Sequence, residues 1–539
     1  MEAKTGVFLC DCGRSLKNID FTLLRGRVAR LPGVVFIDLR SDLCLKEGLE
    51  ALSAAVALQR EGIDRVVIAA CSPLARGETL RNALEEAGLA PNLIAWANLR
   101  EQCSWAHDGD VTPKALSLIE MALGKARLLQ PLKKAQIPVE QKVLIIGGGF
   151  SGLKAALELS RLGMGATLVE KGPQLGGRLR EIESLYAGQA SPGAMVSSLA
   201  QCALESGIEA LTSAEVIGVE GTAGDFRVEI ERDGERLRRT FGAIILAPGY
   251  EAEALPGAEL KSKNIIPSSD FFKVLSQEQP PTRLAFILDV SDEHSRLPTL
   301  SALNNALMAK ERLGSEVYVF AQNLKVDTEG AEKLYREARD KGVVFLKFEG
   351  KPRVVCDDGR VRIEARDVLL GEEVALDCDL LVMEEKALPA AKLASTLNLG
   401  TDPRGFYQEV NPHLFPIFSG RKGVYLVGSC RADLDFDRAA MDAAGAALEA
   451  YKLLSQGEVE VDRVRVDPDK CRVCLTCVRV CPHGAIGVVH AKPEKESARI
   501  YDLACDACGM CVAICPAKAI GYEGYDDDQI LAEIEAVGA

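Results

Sequence analysis

Aromatic residues are scarce in this chain, at 5% of 539 positions. Binding single-stranded nucleic acid leans on bases stacked against aromatic faces, so that class is disfavoured. Positive charge is also short. The 64 Lys and Arg are outnumbered by 78 Asp and Glu, giving a net charge of −14. That balance argues against nucleic acid or an anionic membrane as the main partner. No apolar run approaches the roughly 18 residues of a membrane span. The opening MEAKTGVFLCDCG lacks the charged-then-apolar pattern of a signal peptide, and a cytoplasmic protein is expected. What the chain has in quantity is cysteine, 17 residues in all. In a cytoplasmic setting that number means metal or redox chemistry rather than structural disulfides. The length exceeds one hydrophobic core and implies three or four domains.

Eight of the cysteines fall in two runs near the C-terminus, Cys471-Arg-Val-Cys474-Leu-Thr-Cys477-Val-Arg-Val-Cys481-Pro482 and Cys505-Asp-Ala-Cys508-Gly-Met-Cys511-Val-Ala-Ile-Cys515-Pro516. Both read C-x2-C-x2-C-x3-C-P, the spacing of bacterial two-cluster ferredoxins, in which the fourth cysteine ligates the other cluster. One [4Fe–4S] cluster is therefore assigned Cys471, Cys474, Cys477 and Cys515. The other takes Cys505, Cys508, Cys511 and Cys481. Two copies of so specific a pattern weigh against a zinc site or a disulfide framework.

Further upstream, Lys142–Ile146 reads as a buried strand running into Gly147-Gly148-Gly149-Phe150-Ser151-Gly152. A helical stretch, Leu153–Leu162, follows, and then a second strand, Ala166–Val169, ending on Glu170 and Lys171. This is G-x-G-x-x-G between a strand and a helix, with an acid at the distance expected for a ribose contact. Gly147 permits the tight turn, Gly149 lets a pyrophosphate approach, and Gly152 lets the helix pack. The helix N-terminus, at Phe150 and Ser151, faces the phosphates. The sequence resembles the two-dinucleotide-binding flavoproteins in its continuation, Gly176-Gly177-Arg178, and in the strands AIILAPG (Ala247 and Gly249 at its turn) and GVYLVG ending on Gly428. That resemblance implies FAD. Pro248 replaces the usual Thr and removes one backbone donor. Asp433, Asp435 or Asp437 is placed to cap the last helix of this domain. Where relatives that use NAD(P)H carry a second glycine fingerprint, this chain reads FILDVSDEHSRLPTLSAL, without Gly-x-Gly. Hydride from bound NAD(P)H is therefore not expected. Cys202, Cys356, Cys378 and Cys430 lack a C-x-x-C partner and read as packed thiols.

The first 110 residues alternate strands (Gly6–Leu9, Val34–Leu39, Val66–Ala70, Leu93–Trp96) with helices (Gly48–Glu61, Glu78–Ala87), which implies a parallel sheet. Residues 112–138 read as a helix running into a linker. Cys10 and Cys12 follow the first strand, Cys44 the second, Cys71 the third and Cys103 the fourth. All five then fall outside the carboxyl ends of the strands, where ligand sites form. Spacing alone leaves both a third cluster and ordinary buried thiols open.

The segments VFLCDCG, VVIAACSP and NLREQCSWAH are similar to those that open the A subunit of heterodisulfide reductase, an iron–sulfur flavoprotein, and the resemblance extends from Cys10 to Pro516. It implies a third [4Fe–4S] cluster on Cys10, Cys12, Cys44, Cys71 and Cys103, one of them spare or exchanging. His107 in the same motif reads as a surface residue. The longer members insert another cysteine-rich module in the flavin domain, and residues 179–420 here lack it.

The expected fold is α/β throughout: an N-terminal parallel α/β iron–sulfur domain (1–135), a thioredoxin-reductase-like FAD domain (140–282 and 401–457), a nucleotide-domain-like insert without its fingerprint (283–400) and a C-terminal α+β ferredoxin domain (458–539). The expected role is that of an oxidoreductase component that passes electrons between FAD, clusters and partner subunits, with bifurcation left open. The partners implied are the B and C subunits of heterodisulfide reductase, a hydrogenase- or dehydrogenase-linked input subunit, ferredoxin, and a second copy of the chain. The alternatives are a self-contained flavin reductase linked to NAD(P)H or ferredoxin, and a docking scaffold.

Overall fold

The computed structural model describes residues 3–57, 62–90, 92–131, 135–180, 191–254, 262–289, 296–357, 359–389, 392–461, 464–522 and 524–537. The chain divides into two compact units. One holds Met1–Ala135, Val461–Cys481 and Ile486–Ala539, and the other Gln136–Glu460 with Pro482–Ala485.

The first unit opens with four strands: β1 (Thr5–Cys10), β2 (Val34–Arg40), β3 (Arg65–Ala70) and β4 (Ile94–Asn98). They form one sheet in the order β2-β1-β3-β4, parallel at every pairing. β1 is buried along its whole length, as a parallel strand covered on both faces must be. Four helices cover the sheet: α1 (Phe21–Val28), α2 (Lys46–Ala57), α3 (Pro73–Glu86) and α4 (Thr112–Leu128). α4 packs on β3, β4 and α1, and α2 packs on α3. The strand order reverses between β1 and β3, so the crevice outside their carboxyl ends lies between Cys10 and Cys71. α3 starts five residues before the expected Glu78, because Ser72 caps it, its Oγ accepting from the Leu74 amide (3.2 Å), and Pro73 opens it.

The C-terminal part of this unit pairs Val464–Val466 with Ile520–Tyr522 and Ile486–Lys492 with Lys495–Ile500, both antiparallel. Short helices, Thr476–Val480 and Met510–Ala513, lie within the two cysteine runs. The last helix, Asp527–Glu535, begins with a capping box between Asp526 and Gln529. It lies along α4, where Lys125 pairs with Glu533 (3.3 Å) and covers the Tyr525 ring (3.9 Å), and Gln529 Nε2 donates to the Leu128 carbonyl (3.4 Å).

The second unit is built on two seven-stranded sheets. The first runs in space as Glu409–Asn411, Phe415–Ser419, Val424–Leu426, Ala243–Leu246, Lys142–Ile146, Gly165–Val169 and Glu209–Leu211. The second contains Ile265–Pro267, Leu380–Met383, Arg283–Ile287, Glu316–Ala321 and three further strands ending at Cys378. Tyr250–Ala254 pairs antiparallel with Glu385–Pro389 between them. The expected boundaries at 282 and 400 therefore need correction. Ile265–Pro267 hydrogen-bonds into the second sheet, and Lys392–Leu397 packs on Ala214–Thr222 of the first half. The insert thus begins after the Tyr250–Ala254 strand and ends with Glu385–Pro389. Among the described residues no helix is long and apolar enough to cross a membrane.

Candidate functional site

The two C-terminal cysteine runs fold alike. Val473 and Leu475 in the first run, and Ala507 and Gly509 in the second, all have positive φ (52°, 62°, 50° and 74°). A β-branched residue such as Val473 pays about 1–3 kcal/mol for that conformation, so the surrounding structure must hold it there. Backbone amides point at three of the sulfurs, one of them from a left-handed turn. Ala507 donates to Cys505 Sγ (3.4 Å), Ala498 to Cys471 Sγ (3.4 Å) and Ala519 to Cys515 Sγ (3.3 Å). Such bonds help set the potential of a cluster. Cys471, Cys474, Cys477 and Cys515 line one cavity, closed by Val466, Val478, Val488 and Ile520. Around Cys511, burial together with the negative charge of Cys505, Cys481 and Cys508 pushes the thiol up to about 11. Each fourth cysteine is thus found with the three of the other run. Among the described residues no three His, Cys, Asp or Glu side chains are arranged to hold a single metal ion. Cys471, Cys474, Cys477 and Cys515 surround a space, which suits a cube of iron and sulfide.

At the carboxyl edge of the N-terminal sheet, four of the five expected cysteines come together. The Cys12 thiol hydrogen-bonds both Cys10 and Cys71, which pushes Cys12 well up and brings Cys10 down to about 7 and Cys71 to about 6. Cys44 is raised by burial and by the charge of Cys10 and Cys71. The Cys12 amide donates to Cys10 Sγ (3.4 Å), and Cys12 has φ 51°. This is the same turn that Ala507 makes on Cys505. Cys103 stands apart. It is fully buried in a π-helical turn, Arg100–Ser104, and its Sγ faces the Val111 carbonyl (3.7 Å). His107 is exposed and contacts Lys114.

The glycine fingerprint forms a cradle. Gly147, at φ 108°, passes so close to the next strand that a Cβ would sit 2.1 Å from the Ala247 carbonyl oxygen. A Cβ on Gly152 would sit 1.9 Å from the Gly147 oxygen. On Gly149 it would meet nothing nearer than the Gly177 Cα at 4.0 Å. The first and third glycines are therefore required by the fold, whereas the second leaves open space for a ligand. Phe150 and Phe436 begin two helices, Phe150–Arg161 and Phe436–Leu454, and their ring centroids lie 4.0 Å apart. Two positive helix ends thus meet at the cradle, which suits a pyrophosphate. Of the three candidate acids, Asp435 caps the second helix, its Oδ1 accepting from the Arg438 amide (2.9 Å).

Gly428, at φ 70°, closes on Ser151, whose Oγ would lie 2.2 Å from an added Cβ. Behind it, Arg431 and Asp442 form a buried pair (2.7 Å), and the Gly428 amide donates to Asp442 (3.3 Å). Glu170 accepts from the amides of Gly148 (2.6 Å) and Gly172 (2.7 Å), at the position expected to face a ribose. Lys171 turns to Glu251 instead (2.5 Å). Gly249 follows with φ 68°. Arg178 lies over the Tyr250 ring (4.8 Å), and its buried Nε has no partner among the described residues. A cationic side chain with that N–H to spare among the described residues, beside an open cradle, fits an anionic or carbonyl-bearing cofactor such as FAD. Tyr250 escaped the sequence reading, and only its place after Ala-Pro-Gly could have flagged it.

Cys430 is fully buried, with Sγ facing the Leu246 and Val427 carbonyls (3.4 and 3.3 Å), and burial pushes it up to about 12. Cys378 is likewise pushed up to about 12 by burial. Both are inert thiols. Cys356 donates to Ser262 Oγ (3.1 Å), and Cys202 is exposed on Pro192–Glu205. In the insert, the strand Arg283–Ile287 leads to Asp289, which is buried and left-handed (φ 58°) and accepts from the amides of Gln322 (2.9 Å) and Asn323 (3.0 Å). A carboxylate held where a dinucleotide's phosphates would approach is unfavourable to them. Residues 290–295 of that segment lie outside the described residues.

The family described as pyridine nucleotide-disulphide oxidoreductase matches residues 133–290, and the 4Fe-4S dicluster domain matches residues 463–516. The chain is 29% identical over 602 residues to the A subunit of H(2):CoB-CoM heterodisulfide,ferredoxin reductase of Methanothermobacter thermautotrophicus, covering 90% of this chain and 91% of that one. It is 29% identical over 661 residues to the first iron-sulfur A subunit of CoB--CoM heterodisulfide reductase of Methanopyrus kandleri, covering 99% and 98%. With the corresponding protein of Methanocaldococcus jannaschii the identity is 28% over 656 residues, covering 100% and 99%. Those spans exceed the 539 residues here, so this chain is a shortened form. A thioredoxin reductase structure from T. acidophilum covers 58% of this chain, and 99% of its own, at 19% identity and a TM-score of 0.44. The chain is an oxidoreductase, an FAD flavoprotein with a [4Fe–4S] dicluster domain, and a homologue of the heterodisulfide reductase A subunits.

Proposed function

We propose that this chain is the electron-distributing component of a multi-subunit oxidoreductase, with three clusters and one FAD. The crossing of the fourth cysteines carries this reading, since Cys515 shares a cavity with Cys471, Cys474 and Cys477. Two cages built that way relay single electrons. The first cluster takes these four thiolates. The second takes Cys505, Cys508, Cys511 and Cys481. The third takes Cys10, Cys12, Cys44 and Cys71, with Cys103 packed apart.

FAD, when bound, supplies the exchange between paired and single electrons. The chain's own part is to bind and place it. Gly149 leaves room for the pyrophosphate, the two helix N-termini at Phe150 and Phe436 face it, and Glu170 keeps a lone pair for the ribose on oxygens already fixed by two amides. Arg178 Nε is free to donate to the cofactor. Asp289 stands against nucleotide binding in the insert, which favours electron input from a protein partner over NAD(P)H. The relatives are named as A subunits of CoB-CoM heterodisulfide reductases, and the name of the Methanothermobacter thermautotrophicus protein also includes H(2) and ferredoxin. Partners resembling the B and C subunits, an input subunit, ferredoxin and a second copy of the chain follow by analogy.

The test is anaerobic purification of the native complex, with its subunits identified by mass spectrometry. Co-purifying redox subunits support the reading. A chain that is isolated alone and turns over rapidly with NADH or NADPH overturns it.

A further inference from the structure

The π-helical turn after β4 carries two charged residues that none of the thiol sites uses. Glu101 is tied down at three points. Its amide donates hydrogen to Asn98 Oδ1 (2.9 Å), and its Oε2 accepts from the amide of Ser72, the neighbour of Cys71 (2.8 Å). Its Oε1 accepts from Arg100 Nε (2.9 Å) and Nη2 (2.7 Å). The other face of the guanidinium is held over the Trp105 ring (4.7 Å). A second strut, Trp96 Nε1, donates to the Cys71 carbonyl (3.1 Å). A carboxylate that bridges the Cys71 loop and an arginine fixes that arginine beside the thiols. A merely solvated cation would need no such scaffold.

We propose that Arg100 is a fixed positive charge that raises the reduction potential of the N-terminal cluster, and that Glu101 is the positioning residue that aims and opposes it. This rests on the third cluster proposed above.

Through Glu101, which bonds both the Ser72 amide (2.8 Å) and Arg100 (2.7 Å), both charges stand beside the Cys71 loop, and they act on a cluster there in opposite senses. Adding an electron makes a cluster more negative, and a nearby cation stabilises that state. Other charges on this edge, Asp11 near Cys10 and Arg76 near Cys44, are left unchanged by the test.

The experiment uses the full chain, reconstituted anaerobically. Redox titration is followed by low-temperature EPR, and the N-terminal signal is identified as the one lost in Cys71→Ala. Arg100→Gln is expected to lower the reduction constant of that signal about tenfold, about 59 mV for one electron. Glu101→Gln keeps an oxygen to accept from Ser72 but loses its charge, and is expected to shift the potential the other way. Arg100→Lys is expected to restore most of the wild-type value, and the two C-terminal clusters act as unmoved internal controls. Shifts of the same sign, or no shift, with the cluster intact would overturn the proposal. So would loss of the cluster from both Gln variants, because the pair would then hold the site and not tune it. Failure of the underlying reading looks different: wild-type iron near eight per chain, unaffected by Cys71→Ala.

Discussion

The cradle geometry separates two roles that the glycine fingerprint combines, and substitution can tell them apart. A Cβ on Gly152 would lie 1.9 Å from the Gly147 carbonyl oxygen, about 1.5 Å short of ordinary contact. Gly152→Ala must therefore push the helix off the strand, which costs roughly 1–3 kcal/mol or more even without flavin. Gly149 has φ −76° and ψ −173°, an extended conformation open to any residue. A Cβ there meets only the Gly177 Cα at 4.0 Å. Gly149→Val should leave flavin-free stability within about 1 kcal/mol of the parent. Its side chain would nonetheless stand where the pyrophosphate must lie. FAD at a hundred times its dissociation constant stabilises the wild type by about 2.7 kcal/mol, and that increment should vanish in Gly149→Val. The assay is the urea midpoint of flavin-free and FAD-supplemented protein, with FAD retention measured after gel filtration. Wild-type FAD binding by Gly149→Val would refute the reasoning, as would a flavin-free loss equal to that of Gly152→Ala.

Anaerobic protein should contain about twelve irons; Cys71→Ala should lower that to about eight while Cys103→Ala leaves it unchanged, as read by colorimetric iron analysis. NADH and NADPH should not bleach the flavin at a useful rate in stopped-flow mixing, because Asp289 opposes the phosphates. Asp442→Ala should cost about 3–5 kcal/mol in denaturant unfolding, by leaving Arg431 buried without its partner. Hydrogen bonding to Arg239 holds Glu209 down at about 2, against its ordinary 4.5. A depressed carboxylate contributes stability above its unfolded value and loses it as pH falls toward the folded one. Glu209→Gln should therefore flatten the acid-side loss of stability between about pH 5 and pH 2, modestly, since the side chain is 37% exposed.

Legibility from sequence followed how local the determining physics is. The two C-x2-C-x2-C-x3-C-P runs carry their ligands at fixed spacing, and the crossing of Cys481 and Cys515 comes with that spacing. The N-terminal sheet was readable because β1 and β3 are continuous apolar runs. The helix Phe21–Val28 was overlooked, although Asp20, which accepts from the amides of Thr22 and Leu23, stood at its start. Four of the five cysteines expected at one sheet edge come together, and separating Cys103 from them was beyond pattern reading. A π-helical turn has no sequence signature, and that turn is what aims the thiol at Val111. The same turn presents Arg100 and Glu101, and the partner of Glu101 lies 29 residues away at Ser72. The boundary at 282 failed for a similar reason: the three-residue strand Ile265–Pro267 is too short to announce itself and is recruited by Leu380–Met383.

The most direct test of the central claim is stepwise anaerobic reduction of the full chain with titanium(III) citrate, following flavin absorbance and cluster EPR together. One FAD and three clusters should take up about five electrons per chain, two on the flavin and one on each cluster. Uptake of about two electrons, with bleached flavin and no cluster signal, would contradict the account.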